Sequence, residues 1–400
     1  MPGTGQSYIV AGAGITGLTL ALALAKFGAS VTVLERSPAL SEFGAGLQVS
    51  PNARRVLDRL GLDEALRANS LEPAGIDIYP YGRATPLVTL ELGAVMRERF
   101  GAPYVVMHRA DLAEVLHKAT RRFANIDIRF GAGDWAVTQD ESGVAVTLAD
   151  QTLRARAFIG ADGVRSRTRA EMLKGPQAQY RGRVAWRALA PFSAAASQIA
   201  LDRVSVLFGP GYHLVCYPLP HREQVNFALF AQAPQTLSDE SHAPGLPPVH
   251  QRSPRIEALL TAIGRTWTPW PLYGVETSVW HKGRIGIIGD AAHGMVPFQA
   301  QGAAMGIEDA AVLAPLLVHE ANAATAFETY SAIRQPRVQR VADISTMNGR
   351  IFHMGWPLSL GRNLVIGLQG SRGHIGRLAW LYGHDAQPPG LPALPEGHEN

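Results

Sequence analysis

A single cysteine, Cys216, stands among 400 residues. One thiol closes no intramolecular disulfide and builds no cysteine-rich metal site, and such scarcity suits a reducing compartment. Charge of one sign is also scarce: 37 Lys and Arg face 33 Asp and Glu, a formal charge of +4 scattered along the chain without basic runs. That distribution argues against a nucleic-acid surface, while a mild positive field favours anionic cofactors and small acidic substrates. No apolar stretch approaches the roughly 20 residues that span a bilayer. The opening MPGTGQSYIVAGAG lacks the basic start and cleavage site of a signal peptide. A cytoplasmic protein with no membrane span is the expectation, and no repeat of fixed period is present.

What the chain does have is 46% hydrophobic residues against 18% charged. That balance describes an ordinary globular protein, long enough for two interleaved domains. Residues 8–11 read as an apolar strand, 15–27 as a helix of Leu and Ala, and 30–34 as an alternating strand, which makes a βαβ opening. Residues 112–122 and 308–319 carry helical spacing, and 157–160 and 284–289 are short apolar runs ending at glycine, the pattern of buried parallel strands. From about Arg183 to Tyr273 the pattern becomes β-like alternation, at 204–208, 213–217 and 225–231, so a second, sheet-based domain is inserted there. Residues 244–248 and 268–271 read as proline-rich connections, and the tail from Gln387, with four prolines, is expected to be poorly ordered.

The motif AGAGITG places Gly12, Gly14 and Gly17 after a predicted strand, with Ile15 opening the predicted helix. Gly12 permits a tight turn, Gly14 lets the backbone approach a pyrophosphate, and Gly17 lets helix pack on strand. The phosphates then meet free N–H groups at the positive end of the helix dipole. Glu35, 18 residues after Gly17, ends the next strand where a carboxylate can accept both ribose hydroxyls. Its charge disfavours a 2′-phosphate, although adjacent Arg36 can offset that. The alternative is a set of glycines serving a turn in an unrelated α/β protein; with strand, turn, helix, strand and acid in order, a dinucleotide, FAD or NAD, is the reading taken.

Two later motifs choose between them: GADGVRSRTR at 160–169 and GRIGIIGDAAHGMVPFQAQGAAMGIEDA at 283–310. With these residues the sequence resembles the group A flavoprotein aromatic hydroxylases, the family of p-hydroxybenzoate hydroxylase. FGAGLQVSPNA at 43–53 and His-Arg-Ala-Asp-Leu at 108–112 resemble its salicylate, 3-hydroxybenzoate and 6-hydroxynicotinate hydroxylase branch. The cofactor implied is FAD, with NADH or NADPH as a transient electron donor and O2 as co-substrate. Asp290, at a strand end, suits a ribityl hydroxyl. Gln301, Gly302 and Ala303 lead into a helix whose free N–H groups can bear the charge of reduced flavin. The resemblance implies that Arg109 contacts FAD from its phosphate and sugar side, that Gln48 lies near the flavin, and that Asp162 and Arg165 belong to a fingerprint linked to FAD and pyridine nucleotide. The alternatives are a surface ion pair of Arg109 with Asp111 or Glu114, and a structural turn held by Asp162 and Arg165. His293 reads as a packing histidine.

One dinucleotide unit means that NAD(P)H visits and leaves. Reduced flavin and oxygen then give a flavin hydroperoxide, whose electrophilic terminal oxygen attacks an electron-rich ring. Deprotonating a phenol raises the ring's nucleophilicity, so a base or relay should border the substrate. His213 and Tyr217 share one strand face and match, by resemblance, a histidine and tyrosine that line the substrate pocket; core packing is the alternative. His213 is the first choice for general base, Tyr217 for orienting the substrate, and Gln301 for bonding the ring hydroxyl from the flavin side. Gln48 stands where hydroxynicotinate enzymes carry histidine, which weakens that substrate reading. Arg83, Arg183 and Arg187 could pair with a substrate carboxylate and Trp186, Trp267 and Trp270 could wall an apolar pocket, but solvated arginines and core tryptophans are the readings taken.

The expected architecture is an α/β protein with a Rossmann-like FAD-binding domain (1–75, 103–175 and 276–350) interleaved with a mixed β-sheet substrate domain (76–102 and 176–275). A C-terminal helical segment (351–386) and the tail 387–400 follow. Two functions of another class remain open at this point: a flavin-dependent reductase or dehydrogenase without oxygen insertion, and a non-catalytic FAD-binding protein. A homodimer is expected only from the frequency of two-fold assemblies.

Overall fold

A computed structural model describes residues 1–40, 46–149, 151–234 and 244–395. Phe43, Gly44 and Ala45 of the 43–53 motif therefore lie outside the described residues. The first layer is a six-stranded sheet in the order His281–Lys282, Ile285–Ile287, Ala157–Gly160, Ser7–Ala11, Ser30–Glu35, Ile126–Phe130. All its pairs are parallel except the edge pair His281–Lys282 with Ile285–Ile287. The central strands are near-continuous apolar runs because helices cover both faces of such a sheet. Helix Ile15–Lys26, buried at ten of its 12 residues, packs on helix Gly302–His319. The latter is long and apolar enough to cross a membrane by length and composition, but it is 83% buried inside the protein.

The second layer is a seven-stranded sheet: Thr268–Gly274, Gln179–Pro191, Gln224–Gln232, Tyr212–Leu219, Val204–Gly209, Gly75–Tyr79, Val88–Glu91. It is antiparallel but for the pairing of Val204–Gly209 with Gly75–Tyr79. Residues 268–271, expected to be a connection, are instead the start of its edge strand; an edge position tolerates Pro269 and Pro271 because half of its ladder groups need no partner. Register then sorts the side chains. His213 pairs with Phe230, which pairs with Ala185, which pairs with Trp270; Val215 pairs with Ala228, which pairs with Arg187; Tyr217 pairs with Asn226. Directly opposite residues share a face, so Arg183, Arg187, His213, Tyr217, Phe230 and Trp270 stand on one side. Trp186, Tyr212, Leu214, Cys216, Phe227 and Leu229 form a separate core with Trp267 on the other.

Two three-stranded sheets accompany the layers: Ala136–Gln139, Val144–Leu148 and Gln151–Ala155 beside the six-stranded sheet, and Gly46–Val49, Val105–His108 and Ser70–Leu71 against the seven-stranded one. Helices Ala323–Phe352 and Leu358–Tyr382 close the chain. The tail corrects its expectation over residues 387–395: Leu394 is buried in the main core and Gln387 Nε2 donates to the carbonyl of Leu391 at 2.9 Å. Leu391 packs against the same core, and the prolines leave less backbone entropy to lose when the strap docks. Residues 396–400 lie outside the described residues.

Candidate active site

The glycine turn sits where strand Ser7–Ala11 ends. Gly12 has φ +107°, and a Cβ there would stand 2.4 Å from the carbonyl oxygen of Ala161. Gly17 is equally confined: its Cβ would meet the Gly12 oxygen at 2.0 Å. Helix and turn are thus in backbone contact, as a dinucleotide cradle requires. Gly14 is the N-cap of helix Ile15–Lys26, and Leu18 is the first N–H to find an intrahelical acceptor, the Gly14 oxygen at 2.9 Å. The N–H groups of Ile15, Thr16 and Gly17 precede it, facing the loop. Glu35 closes the cradle, accepting from Ala13 N at 2.8 Å and Ser37 N at 2.9 Å. Each carboxylate oxygen keeps a second lone pair for a ribose hydroxyl. Arg36 is exposed, its Cβ against Gly133.

Asp162 borders the same turn, yet its carboxylate is engaged within its own loop. It accepts from Ser166 Oγ at 2.5 Å and from Thr168 N and Oγ1 at 2.9 and 3.0 Å. The structural-turn alternative is therefore the one this geometry favours over direct cofactor contact. Arg165 lies with its guanidinium 5.2 Å from the Tyr273 ring centroid.

On the opposite wall, Gly289 and Asp290 end the next strand. Half-buried Asp290 opens helix Asp290–His293, and among the described residues no protein group hydrogen-bonds its carboxylate. Helix Gly302–His319 starts beside it. Its first paired N–H is Met305, bonded to the Gln301 oxygen at 2.8 Å, and a Cβ on Gly302 would touch nothing within 4 Å. Ala300, just before, holds φ +54°, a left-handed conformation costly for a residue with a Cβ and of the kind found at ligand clamps. A cradle that a methyl group would fill, an unpaired half-buried carboxylate and an open helix N-terminus are what FAD needs: the residues fit the cofactor.

Gln301 is held from the protein side. Its Nε2 donates to Ser50 Oγ at 2.9 Å and its Oε1 accepts from Asn52 Nδ2 at 3.2 Å, which leaves the buried amide one N–H and one oxygen lone pair for the expected bond to a ring hydroxyl. Asn52 also donates to Glu308 at 2.7 Å, and Glu308 and the adjacent Asp309 take Arg334 at 2.6 and 2.7 Å. Arg337 adds a bond to Glu308 at 2.7 Å. His293 is the buried histidine expected, and it is hydrogen-bonded as well, with Nε2 2.6 Å from the Asp309 carboxylate. Asp309 further accepts from Gly289 N at 2.9 Å, so one buried network holds both the Asp290 corner and the Gln301 helix start. Burial would raise both carboxyls, yet Arg334 and Arg337 hold Glu308 down to about 2, and His293 together with Arg334 holds Asp309 well below the usual carboxylate range. The sequence reading missed this network, whose signal was an acidic pair inside an otherwise apolar helix.

Gln48 lies in strand Gly46–Val49, its Oε1 accepting from Tyr104 Oη. Arg109 opens helix Arg109–Thr120 and is close enough to Arg187 to lower its pKa. Asp111, the suggested surface partner, accepts from His221 at 2.5 Å and from Arg222, and Glu114 pairs with Lys118 at 2.7 Å.

The inner face of the seven-stranded sheet closes against these loops. Gly46 N donates to Asn226 Oδ1 at 2.7 Å, and a Cβ on Gly46 would stand 2.4 Å from Tyr217 Oη. Phe298, from the loop after Asp290, meets the His213 ring edge-on at 5.3 Å, while Phe230 stacks on it at 4.7 Å. Burial pushes the Tyr217 phenol up and the His213 imidazole well down, so both are neutral at pH 7. Arg187, 5.1 Å from the Trp270 ring, is desolvated to about 10 and remains cationic. Trp186 and Trp267 are core, as expected, whereas Arg183 and Arg187 are not solvated surface arginines.

Residues 6–345 match the family model described as FAD binding domain, and the chain belongs to that family. It is 33% identical to 3-amino-4-hydroxybenzoate 2-monooxygenase PtnB3 of Streptomyces platensis over 389 residues, 95% of this chain and 96% of that protein. It is 32% identical to 3-hydroxybenzoate 6-hydroxylase of Polaromonas naphthalenivorans (strain CJ2), covering 94% of this chain and 95% of that one. The structure of Klebsiella pneumoniae HpxO complexed with FAD and uric acid shares the fold, with a TM-score of 0.78 at 24% identity over 94% of this chain and 96% of that one. Within the family the chain is a class A aromatic hydroxylase, an FAD-dependent aromatic monooxygenase. The reductase and non-catalytic alternatives are thereby set aside.

Proposed function

We propose that the chain hydroxylates a small phenolic acid of the hydroxybenzoate or salicylate class, with NADH or NADPH as its transient electron donor. The observation that carries this reading is the register of the seven-stranded sheet, which sets Arg187, His213 and Tyr217 on the face turned to the cofactor loops. A desolvated, cationic Arg187 favours an anionic ligand, because a carboxylate restores the counter-charge that burial has removed. Tyr217, held neutral, offers an O–H that orients the ring, and the rings of Phe230, Phe298 and Trp270 exclude water from it. FAD in the cradle, once reduced by NAD(P)H, supplies the oxygen-activating chemistry. The backbone N–H groups of Gly302 and Ala303 would hold the flavin side and bear its negative charge, and Asp290 would accept from the ribityl chain.

A cytoplasmic homodimer completes the reading, the pairing resting on the general frequency of two-fold assemblies. The decisive experiment incubates the FAD-loaded protein with hydroxybenzoates, salicylate, 3-amino-4-hydroxybenzoate and 6-hydroxynicotinate under NADH or NADPH. Oxygen uptake and product mass are read together. Hydroxylated product from a phenolic benzoate, matched to oxygen consumed, supports the proposal; NAD(P)H oxidation without any hydroxylated benzoate overturns it.

A further inference from the structure

His213 does not stand alone. Its Nδ1 lies 2.7 Å from Nε2 of His353, and His353 Nδ1 is in hydrogen-bond contact with a guanidinium nitrogen of Arg183. His353 caps helix Ala323–Phe352 and is fixed there: its carbonyl accepts from Gly211 N at 3.1 Å, and Arg362 donates to the flanking carbonyls of Phe352 and Met354 at 3.1 and 3.3 Å. The ring itself is held between its two nitrogen partners and packs against Phe298 at 5.9 Å. Arg183 lines an open cavity of about 750 Å³, so the far end of the chain reaches solvent while His213 is buried.

The direction of each hydrogen bond follows from the donors available. A guanidinium has donors only, so His353 Nδ1 must accept. Burial and the neighbouring Arg183 and Arg362 charges hold His353 down to about 3, so it is neutral and carries its one proton on Nε2. That Nε2–H donates to His213 Nδ1. His213, also neutral, is left with its proton on Nε2, and among the described residues no protein group bonds that atom.

We infer that Arg183, acting through His353, locks His213 as an Nε2–H donor aimed at an oxygen of the bound substrate. His213 is then not the general base expected from its position, since an Nε2 that already bears hydrogen takes no second proton while Nδ1 is occupied. It stabilises an anionic ring oxygen by a charge-assisted hydrogen bond, favouring the phenolate that the reaction needs. His353 and Arg183 are positioning residues that set the tautomer. The inference rests on the phenolic-acid reading above for the identity of the oxygen, but the tautomer itself does not.

The direct test is 15N-histidine labelling of the FAD-loaded enzyme, with long-range proton–nitrogen correlation showing which ring nitrogen bears hydrogen. His213→Gln and His353→Phe supply the assignments. Expected at pH 7 are Nε2–H forms for both residues, retained in Arg183→Lys, which keeps a donor, and replaced by mixed tautomers in Arg183→Met. A protonated Nδ1 on His213, or a pattern indifferent to Arg183→Met, overturns the inference. The second readout compares binding of 3-hydroxybenzoate and benzoate to His353→Phe: the former weakens roughly ten-fold and the latter is unchanged. Equal losses, or none, count against it. Should neither compound bind the unaltered enzyme, the substrate reading fails while the nitrogen spectrum still decides the tautomer.

Discussion

Gly46 and Tyr217 touch across the boundary between the two sheets: a single added methyl at Gly46 would stand 2.4 Å from the Tyr217 phenol oxygen. The strand that leads from the cofactor cradle therefore sets how far the phenol reaches into the chamber. Gly46→Ala should displace Tyr217 while leaving the cradle intact. We expect bound FAD, by its visible absorbance, and a fall in kcat of roughly ten- to a hundred-fold, the usual cost of an ångström of misplacement. Unchanged turnover would remove Tyr217 from substrate positioning.

Gly12→Ala acts on the cofactor. Both its φ of +107° and the 2.4 Å approach to Ala161 oppose a side chain, so the turn must open. The purified variant should be colourless and should stay so in excess FAD. A yellow Gly12→Ala protein with wild-type absorbance would show that the nucleotide lies elsewhere.

Among the described residues Asp290 has no protein partner for its carboxylate, so its removal costs the folded chain little and the bound cofactor more. Asp290→Ala should weaken FAD at least roughly ten-fold, the loss of one hydrogen bond to a charged acceptor. Thermal stability of the apoprotein should hardly move. Fluorescence titration with FAD and a melting curve without it separate the two.

The buried network predicts an acid limb to stability. Glu308 is depressed from its ordinary 4.5 to about 2 in the folded chain. The unfolded state thus binds the proton more readily, and the stabilisation is fully present above about 4.5 and lost as pH falls through about 2. Urea midpoints measured over that window should drop, and Glu308→Gln should flatten the drop. Arg334→Met, which takes the shared guanidinium away from two buried carboxylates, should cost about 3–5 kcal/mol at pH 7. An unaltered urea midpoint would mean that the network is not closed as described.

Local chemistry made much of this legible before any coordinates. The cradle was readable because Gly12, Gly17 and Glu35 act within one βαβ unit, where spacing alone fixes geometry. His213 and Tyr217 were readable as one face because a strand has period two. What escaped reading depends on partners far along the chain. Gln301 is gripped from behind by Ser50 and Asn52, which only the packing of helix Pro51–Arg59 brings to it. Arg183 and His353 are 170 residues apart, so no spacing rule connects them. Pro269 and Pro271 masked an edge strand because a proline signals a connection unless one knows which ladder groups face solvent. Leu394 shows the same limit at the other end, since composition does not say where a lone apolar side chain will dock.

The two-faced sheet also dictates how this catalyst can be retuned. Along Gln179–Pro191 the odd-numbered positions look into the reaction chamber and the even-numbered ones into a sealed apolar core, and in Gln224–Gln232 the parity is reversed. Selectivity for new aromatic acids can therefore be sought by varying Leu189, Asn226 and Ala228, while Trp186, Phe227 and Leu229 keep the scaffold folded. Ligand choice and structural integrity are inherited on opposite sides of a single ribbon of backbone.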